Sequence, residues 1–124
     1  MTARVVKFTT LNSTNLRQIS QANNPVVVGA VLINTSATVP YFVKFYWMKG
    51  TADPTVGTTV PDLTIPCPPF PASGAGSEGM AFPNIQMGVV GAGRLYVAVT
   101  AAAADTDTTS VAAGSIVQIL VDGG

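Results

Sequence analysis

The sequence predicts an all-β fold: a single-domain antiparallel β-sandwich of the jelly-roll or Greek-key type, occupying residues 1–124. Three observations predict it. Short apolar, β-branched runs recur along the chain between clusters of Gly, Pro, Asn, Asp, Ser and Thr, which is strand-and-turn punctuation. No stretch combines the length of a helix with a helical apolar face. The stretch Pro40 to Gly57 holds five of the nine aromatic residues and then breaks into turn residues, reading as a central strand that needs cover on both faces.

In chain order, Ala3 to Thr9 reads as a first strand or an extended arm. Arg4, Val6 and Phe8 fall on one face and Val5, Lys7 and Thr9 on the other, and neither face is cleanly apolar. Leu16 to Ser20 is a short strand between turns at Leu11 to Asn15 and Gln21 to Pro25. Val26 to Ile33 is continuously apolar and reads as a strand buried on both faces. In the central strand, Tyr41, Val43, Phe45 and Trp47 lie on one face, with Phe45 and Trp47 expected in the core. Phe42, Lys44, Tyr46 and Met48 lie on the other, covered by a loop or a neighbouring subunit. The Asn34 to Pro40 link predicts a long antiparallel hairpin between these two strands.

From Gly50 to Phe82 the chain is rich in proline and glycine, so it is expected to run extended over the surface with brief edge strands at Leu63 to Ile65 and Gly79 to Phe82. Ile85 to Val90 and Leu95 to Thr100 flank Gly91-Ala92-Gly93 as a further hairpin. Ala101 to Gly114 reads as a loop despite its four alanines, because the run is too short to nucleate a helix and passes into Asp and Thr. Ser115 to Asp122 is the last strand.

Charged residues make up 10% of the chain, well under the roughly one quarter of ordinary soluble domains. So sparse a charge suits a protein docked in an assembly, or else a neutral, Thr-rich extracellular domain. The six basic residues are scattered and the formal net charge is zero, which argues against a nucleic-acid partner. The apolar runs are too short to cross a bilayer as helices, and the first residues lack the apolar core of a signal peptide. A single cysteine, Cys67, has no partner for an internal disulfide, consistent with synthesis in a reducing cytoplasm.

The chain has no histidine, which removes the commonest general base and the imidazole-dependent triads; we expect no enzyme, no metal, no cofactor and no small-molecule substrate. Asp105 and Asp107 lack the glycine and distal acid of a calcium loop, and are expected to cap the backbone of their own loop. Cys67 has no basic neighbour to activate it and reads as a small apolar residue beside an edge strand. Tyr41, Tyr46 and Trp47 could stack on sugars, but core or interface roles suit them better.

Four segments carry a resemblance: Val43-Lys44-Phe45-Tyr46; Thr51-Ala52-Asp53-Pro54-Thr55-Val56-Gly57-Thr58-Thr59-Val60-Pro61; Leu63-Thr64-Ile65-Pro66; and Ala103-Ala104-Asp105-Thr106-Asp107-Thr108-Thr109. Their arrangement over residues 40–120 resembles small virion structural proteins of tailed bacteriophages. The chain departs from that pattern at Ala101-Ala102, where Gly-Gly is usual, and in its proline-rich Cys67 to Pro71 run.

The resemblance implies a capsid decoration (cement) protein on the outer surface of the head, made in the host bacterial cytoplasm and stabilising contacts between major capsid subunits. The alternative it leaves open is a tail-tip or fibre module that binds host surface carbohydrate. Self-association is expected, as a trimer in preference to a dimer, because edge strands and a weakly charged surface call for cover. The expected contact residues are Arg4, Val5, Val6, Lys7 and Phe8, with residues 1–8 laid as an arm across a neighbour, and Tyr46 on the second face of the central strand.

Overall fold

A computed structural model describes residues 3–8, 16–20, 26–34, 40–49, 52–69, 78–83, 94–111 and 116–122. They form eight strands and no helix: β1 (Ala3–Phe8), β2 (Arg17–Ser20), β3 (Val26–Asn34), β4 (Tyr41–Met48), β5 (Leu63–Cys67), β6 (Glu78–Pro83), β7 (Arg94–Thr100) and β8 (Ile116–Asp122). The expected strand at Ile85 to Val90 lies outside the described residues. The strands build two four-stranded antiparallel sheets, one in the order β1-β8-β3-β6 and the other in the order β2-β7-β4-β5. The all-β reading stands.

The expected hairpin of Val26 to Ile33 with Tyr41 to Met48 is replaced by other pairings. β3 lies between β8 and β6, and β4 lies between β7 and β5, so Val26 to Ile33 and Tyr41 to Met48 belong to different sheets. The physical reason is that two strands, each apolar on both faces, can pair with each other or with separate sets of neighbours. The six residues between the strands are enough for either, since sheets pack only about 10 Å apart. β7 pairs with β2 on one side, through Leu95 to Val97, and with β4 on the other; the expected hairpin with Ile85 to Val90 lies outside the described residues.

Of the two readings of the N-terminal segment, a first strand or an extended arm, the strand is the one observed. Ala3 to Phe8 pairs with β8 in an unbroken register from Ala3↔Asp122 to Phe8↔Val117. It is thus a strand at the edge of its own sheet, and its backbone finds partners there that a free arm would have to seek elsewhere.

The β2-β7-β4-β5 sheet holds the described core. Tyr41, Val43, Phe45 and Trp47 of β4, Ile65 and Cys67 of β5, and Leu95, Val97 and Val99 of β7 are all buried, and Ile119 of β8 is fully buried as well. The register brings Val43 between Ile65 and Val99, and Phe45 between Leu63 and Val97, so the apolar side chains fill one continuous face. β5 is the edge strand expected in the proline-rich region. Its Pro66 is exposed, while Cys67 beside it is fully buried, and burial pushes the thiol up from its ordinary value.

Candidate functional site

The opposite face of the same sheet carries the polar chemistry. There the register aligns Phe42 with Thr100, Lys44 with Ala98, Tyr46 with Tyr96 and Met48 with Arg94. Residues 52–62 and 101–111 run without regular structure, and side chains from this face bond to both. Tyr46, Tyr96 and Ala98 form a buried cluster, with Leu16, Met48 and Val56 packed against it.

Arg94 ties down the first loop. Its Nη2 donates to the Ala52 carbonyl at 2.6 Å, and its Nη1 donates to Asp53 Oδ1 at 2.9 Å and to Tyr96 Oη at 2.7 Å. Tyr96 Oη in turn donates to the same Asp53 oxygen at 2.6 Å. The hydrogen bond from Tyr96, followed by that from Arg94, holds the Asp53 carboxyl below its ordinary range. Farther along, the backbone N–H of Trp47 donates to Asp62 Oδ2 at 2.6 Å and Asp62 N–H donates to the Phe45 carbonyl at 2.8 Å, fixing where the loop enters β5. A turn at residues 55–59 closes on itself through Thr58 N–H and Thr59 N–H, both donating to the Thr55 carbonyl.

Lys44 ties down the second loop. Its side chain is fully buried and Nζ donates to the Ala104 carbonyl at 2.6 Å. Burial lowers its pKa from the ordinary lysine value, an effect that Asp107 and then Asp105 oppose. The loop is also stitched internally: Ala101 N–H donates to the Thr109 carbonyl, Asp107 N–H to the Ala104 carbonyl, and Ala102 N–H to Asp107 Oδ2 at 2.9 Å. Thr109 Oγ1 donates to both Asp107 oxygens at 2.8 Å. Asp107 therefore caps backbone as the sequence suggested. Among the described residues no group of three or more His, Cys, Asp or Glu side chains could hold a metal ion.

The two loops meet at Gly57. Its φ of +91° lies where side chains are rarely found, and a Cβ there would stand 2.5 Å from Thr108 Cγ2 and 3.3 Å from the Thr106 carbonyl oxygen. Gly57→Ala is expected to cost about 1–3 kcal/mol through backbone strain alone. Trimming the partner in Gly57→Ala/Thr108→Ala should recover only the steric part. Chemical denaturation of these two variants, Thr108→Ala and the parent separates the two contributions; equal stability of Gly57→Ala and the parent would mean that neither the strain nor the loop contact is present.

Tyr46, expected as a contact residue on a face covered by a loop or a neighbouring subunit, lies in a cluster that Leu16 and Val56 of the same chain pack against. It is fully buried, and its Oη meets no hydrogen-bond partner. Two residues spaced along one face can be covered by the chain's own loops as well as by a partner, and the sequence cannot tell the two covers apart. A buried hydroxyl without a partner costs about 1–3 kcal/mol, so Tyr46→Phe should raise the melting temperature. A lowered one would mean that the hydroxyl is bonded in solution. Tyr41 and Trp47, the other residues considered for sugar stacking, are buried too. The remaining expected contacts, Arg4, Val5, Val6, Lys7 and Phe8, are described at the level of backbone and register, on the edge strand β1.

Acid should release both loops together. Burial acting alone would raise the Asp107 pKa, but hydrogen bonds from Thr109 and the Ala102 N–H, with Lys44 nearby, outweigh it and leave Asp107, like Asp53, below the ordinary 3.8. The unfolded chain then binds more protons than the folded one as the pH falls, so this stabilisation is present at neutral pH and is lost on acidification below about 4. Melting temperatures measured across that range should fall less steeply for Asp107→Asn than for the parent.

Comparison of the chain with family models, curated protein sequences and solved structures gives no match to any of them.

Proposed function

We propose that this protein is a capsid decoration protein of the jelly-roll type, which docks on the outer surface of a bacteriophage head and stabilises contacts between major capsid subunits. The observation that carries the reading is the strand order. In β1-β8-β3-β6 and β2-β7-β4-β5, both edges of each sheet and their neighbours follow the pattern of an eight-stranded double Greek key. That architecture is shared by viral shell proteins, lectins and cupins, so it supports the reading by analogy and not by a site.

Two further features favour a shell protein within that group. The chain carries few charges, so docking desolvates little. The loops over the second sheet are bound to the fold by Arg94 and Lys44, and this presents a preorganised surface that loses little entropy when it meets a partner. On this reading the apolar face of the second sheet is covered by the first sheet, as in a sandwich.

The carbohydrate-binding alternative is the weaker one, since Tyr41, Tyr46 and Trp47 are all buried within the chain. Quantifying the protein in purified virions tests the proposal. Copies that scale with the number of shell subunits, with heads that lose heat resistance when the protein is stripped away, are the expected result. A few copies confined to the tail would overturn it.

A further inference from the structure

Four strands form the edges of the two sheets, and three of them are blunted against pairing with another chain. β2 has only four residues and shifts register between Gln18 and Ser20. β5 carries Pro66 and β6 carries Gly79 and ends at Pro83. β1 differs from all three. Its six residues, Ala-Arg-Val-Val-Lys-Phe, contain no Pro or Gly, and they keep an unbroken register with β8 on one side while no described strand pairs with the other. Such a row of backbone groups is a template for an added strand.

The charges on β1 specify what that strand must carry. Arg4 stands opposite Val121 and Lys7 opposite Gln118, so neither base has a carboxylate directly across from it on β8; Asp122 stands opposite Ala3. Nor does the nearby sequence supply one, because residues 1–52 contain Arg4, Lys7, Arg17, Lys44 and Lys49 but no Asp or Glu. The positions that remain for neutralising Arg4 and Lys7 across a ladder are on the open side. A second copy of β1 brings no carboxylate to Arg4 or Lys7 in any register, and antiparallel pairing centred between Val5 and Val6 would set Arg4 against Lys7, like charges that repel.

We infer that the open edge of β1 receives an extended acidic segment of a partner protein by strand addition, with two carboxylates three residues apart opposite Arg4 and Lys7 and apolar residues between them opposite Val5 and Val6. The spacing follows from the pleat: Arg4 and Lys7 are three apart and so on opposite faces of the sheet, and the acids that answer them must alternate in the same way. This names the partner chemistry of the docking proposed above and rests on that reading for the partner's identity, but not for the binding itself.

The test uses the full chain and two capped peptides, TEVVET and TKVVKT. Hydrogen exchange at the amides of residues 3–8 should slow on adding millimolar TEVVET and not on adding TKVVKT. Reversing both charges in Arg4→Glu/Lys7→Glu should weaken the acidic peptide by about tenfold or more and favour the basic one, because each facing pair changes sign. Should that variant not fold, Arg4→Gln/Lys7→Gln, read the same way, should bind the two peptides equally. No slowing in the parent, or equal slowing by both peptides, overturns the inference. Protection of residues 3–8 that grows with protein concentration in the absence of peptide overturns it in favour of a second copy. If TEVVET binds but the protein is missing from heads, the edge stands and the decoration reading falls; if heads are decorated but the peptide fails, the reverse holds.

Discussion

Trp47→Ala is expected to lower the stability of the domain by about 3–5 kcal/mol, as truncations of large buried aromatics do. Trp47 lies on the face of β4 that also carries Val43 and Phe45, and its register partner on β7 is Leu95, which is fully buried. Removing the indole leaves a void on a face whose neighbours belong to a ladder held by backbone bonds, so collapse around it is limited. The indole Nε1 is buried with no hydrogen-bond partner. Trp47→Phe therefore loses volume but no hydrogen bond, and should cost much less than the alanine change. Urea denaturation of the three proteins checks both statements. An alanine variant as stable as the parent would place Trp47 outside the core.

Lys44→Glu should be comparably damaging, at about 3–5 kcal/mol, the range for breaking a buried charged contact by removing one partner. The substitution puts a carboxylate against the Ala104 carbonyl and brings it near Asp105 and Asp107, the two charges that favour the ammonium. Lys44→Met keeps the length of the side chain without its charge and should be far milder, since well-packed apolar replacements of buried ions are often tolerated. The pH dependence has a definite sign. Burial holds the folded pKa of Lys44 below 10.5, so the unfolded state binds more protons between the two values, and stability rises with pH across that interval in the parent but not in Lys44→Met. Exchange at the amides of residues 101–109 should report the loop's release in Lys44→Glu.

The strands were legible in the sequence because each is a short apolar run with punctuation at both ends. Tyr41 to Met48 forms over the expected residues, and β3, β7 and β8 depart from expectation by single residues at their ends. What was not legible is which sheet each strand joins. The link from Asn34 to Pro40 looks like a hairpin turn, yet β3 and β4 separate into different sheets. Local composition specifies that a strand ends, whereas its partner is decided by contacts with residues far along the chain. The loop anchors were hidden for a related reason. Lys44 is an interruption in an apolar strand and Arg94 follows a glycine-rich sequence, and nothing at either position announces the Ala104 or Ala52 carbonyl it binds. Asp107 was readable because its partners, Ala102 and Thr109, are local.

Among the described strands, β4 and β5 are the only sequence neighbours that pair, while the first strand pairs with the last. During synthesis β4, β5 and then β7 can come together as they emerge, but β8 lies between β1 and β3 and is the last of the eight to leave the ribosome. Until it arrives, β1 has no strand to join and β3 has only the edge strand β6. Folding should accordingly be slow, on the order of milliseconds to seconds once the chain is complete, as for other sheets built from distant pairings. A nascent chain arrested before β8 should remain sensitive to protease at β1 and β3, even when the β4-β5-β7 half already resists it.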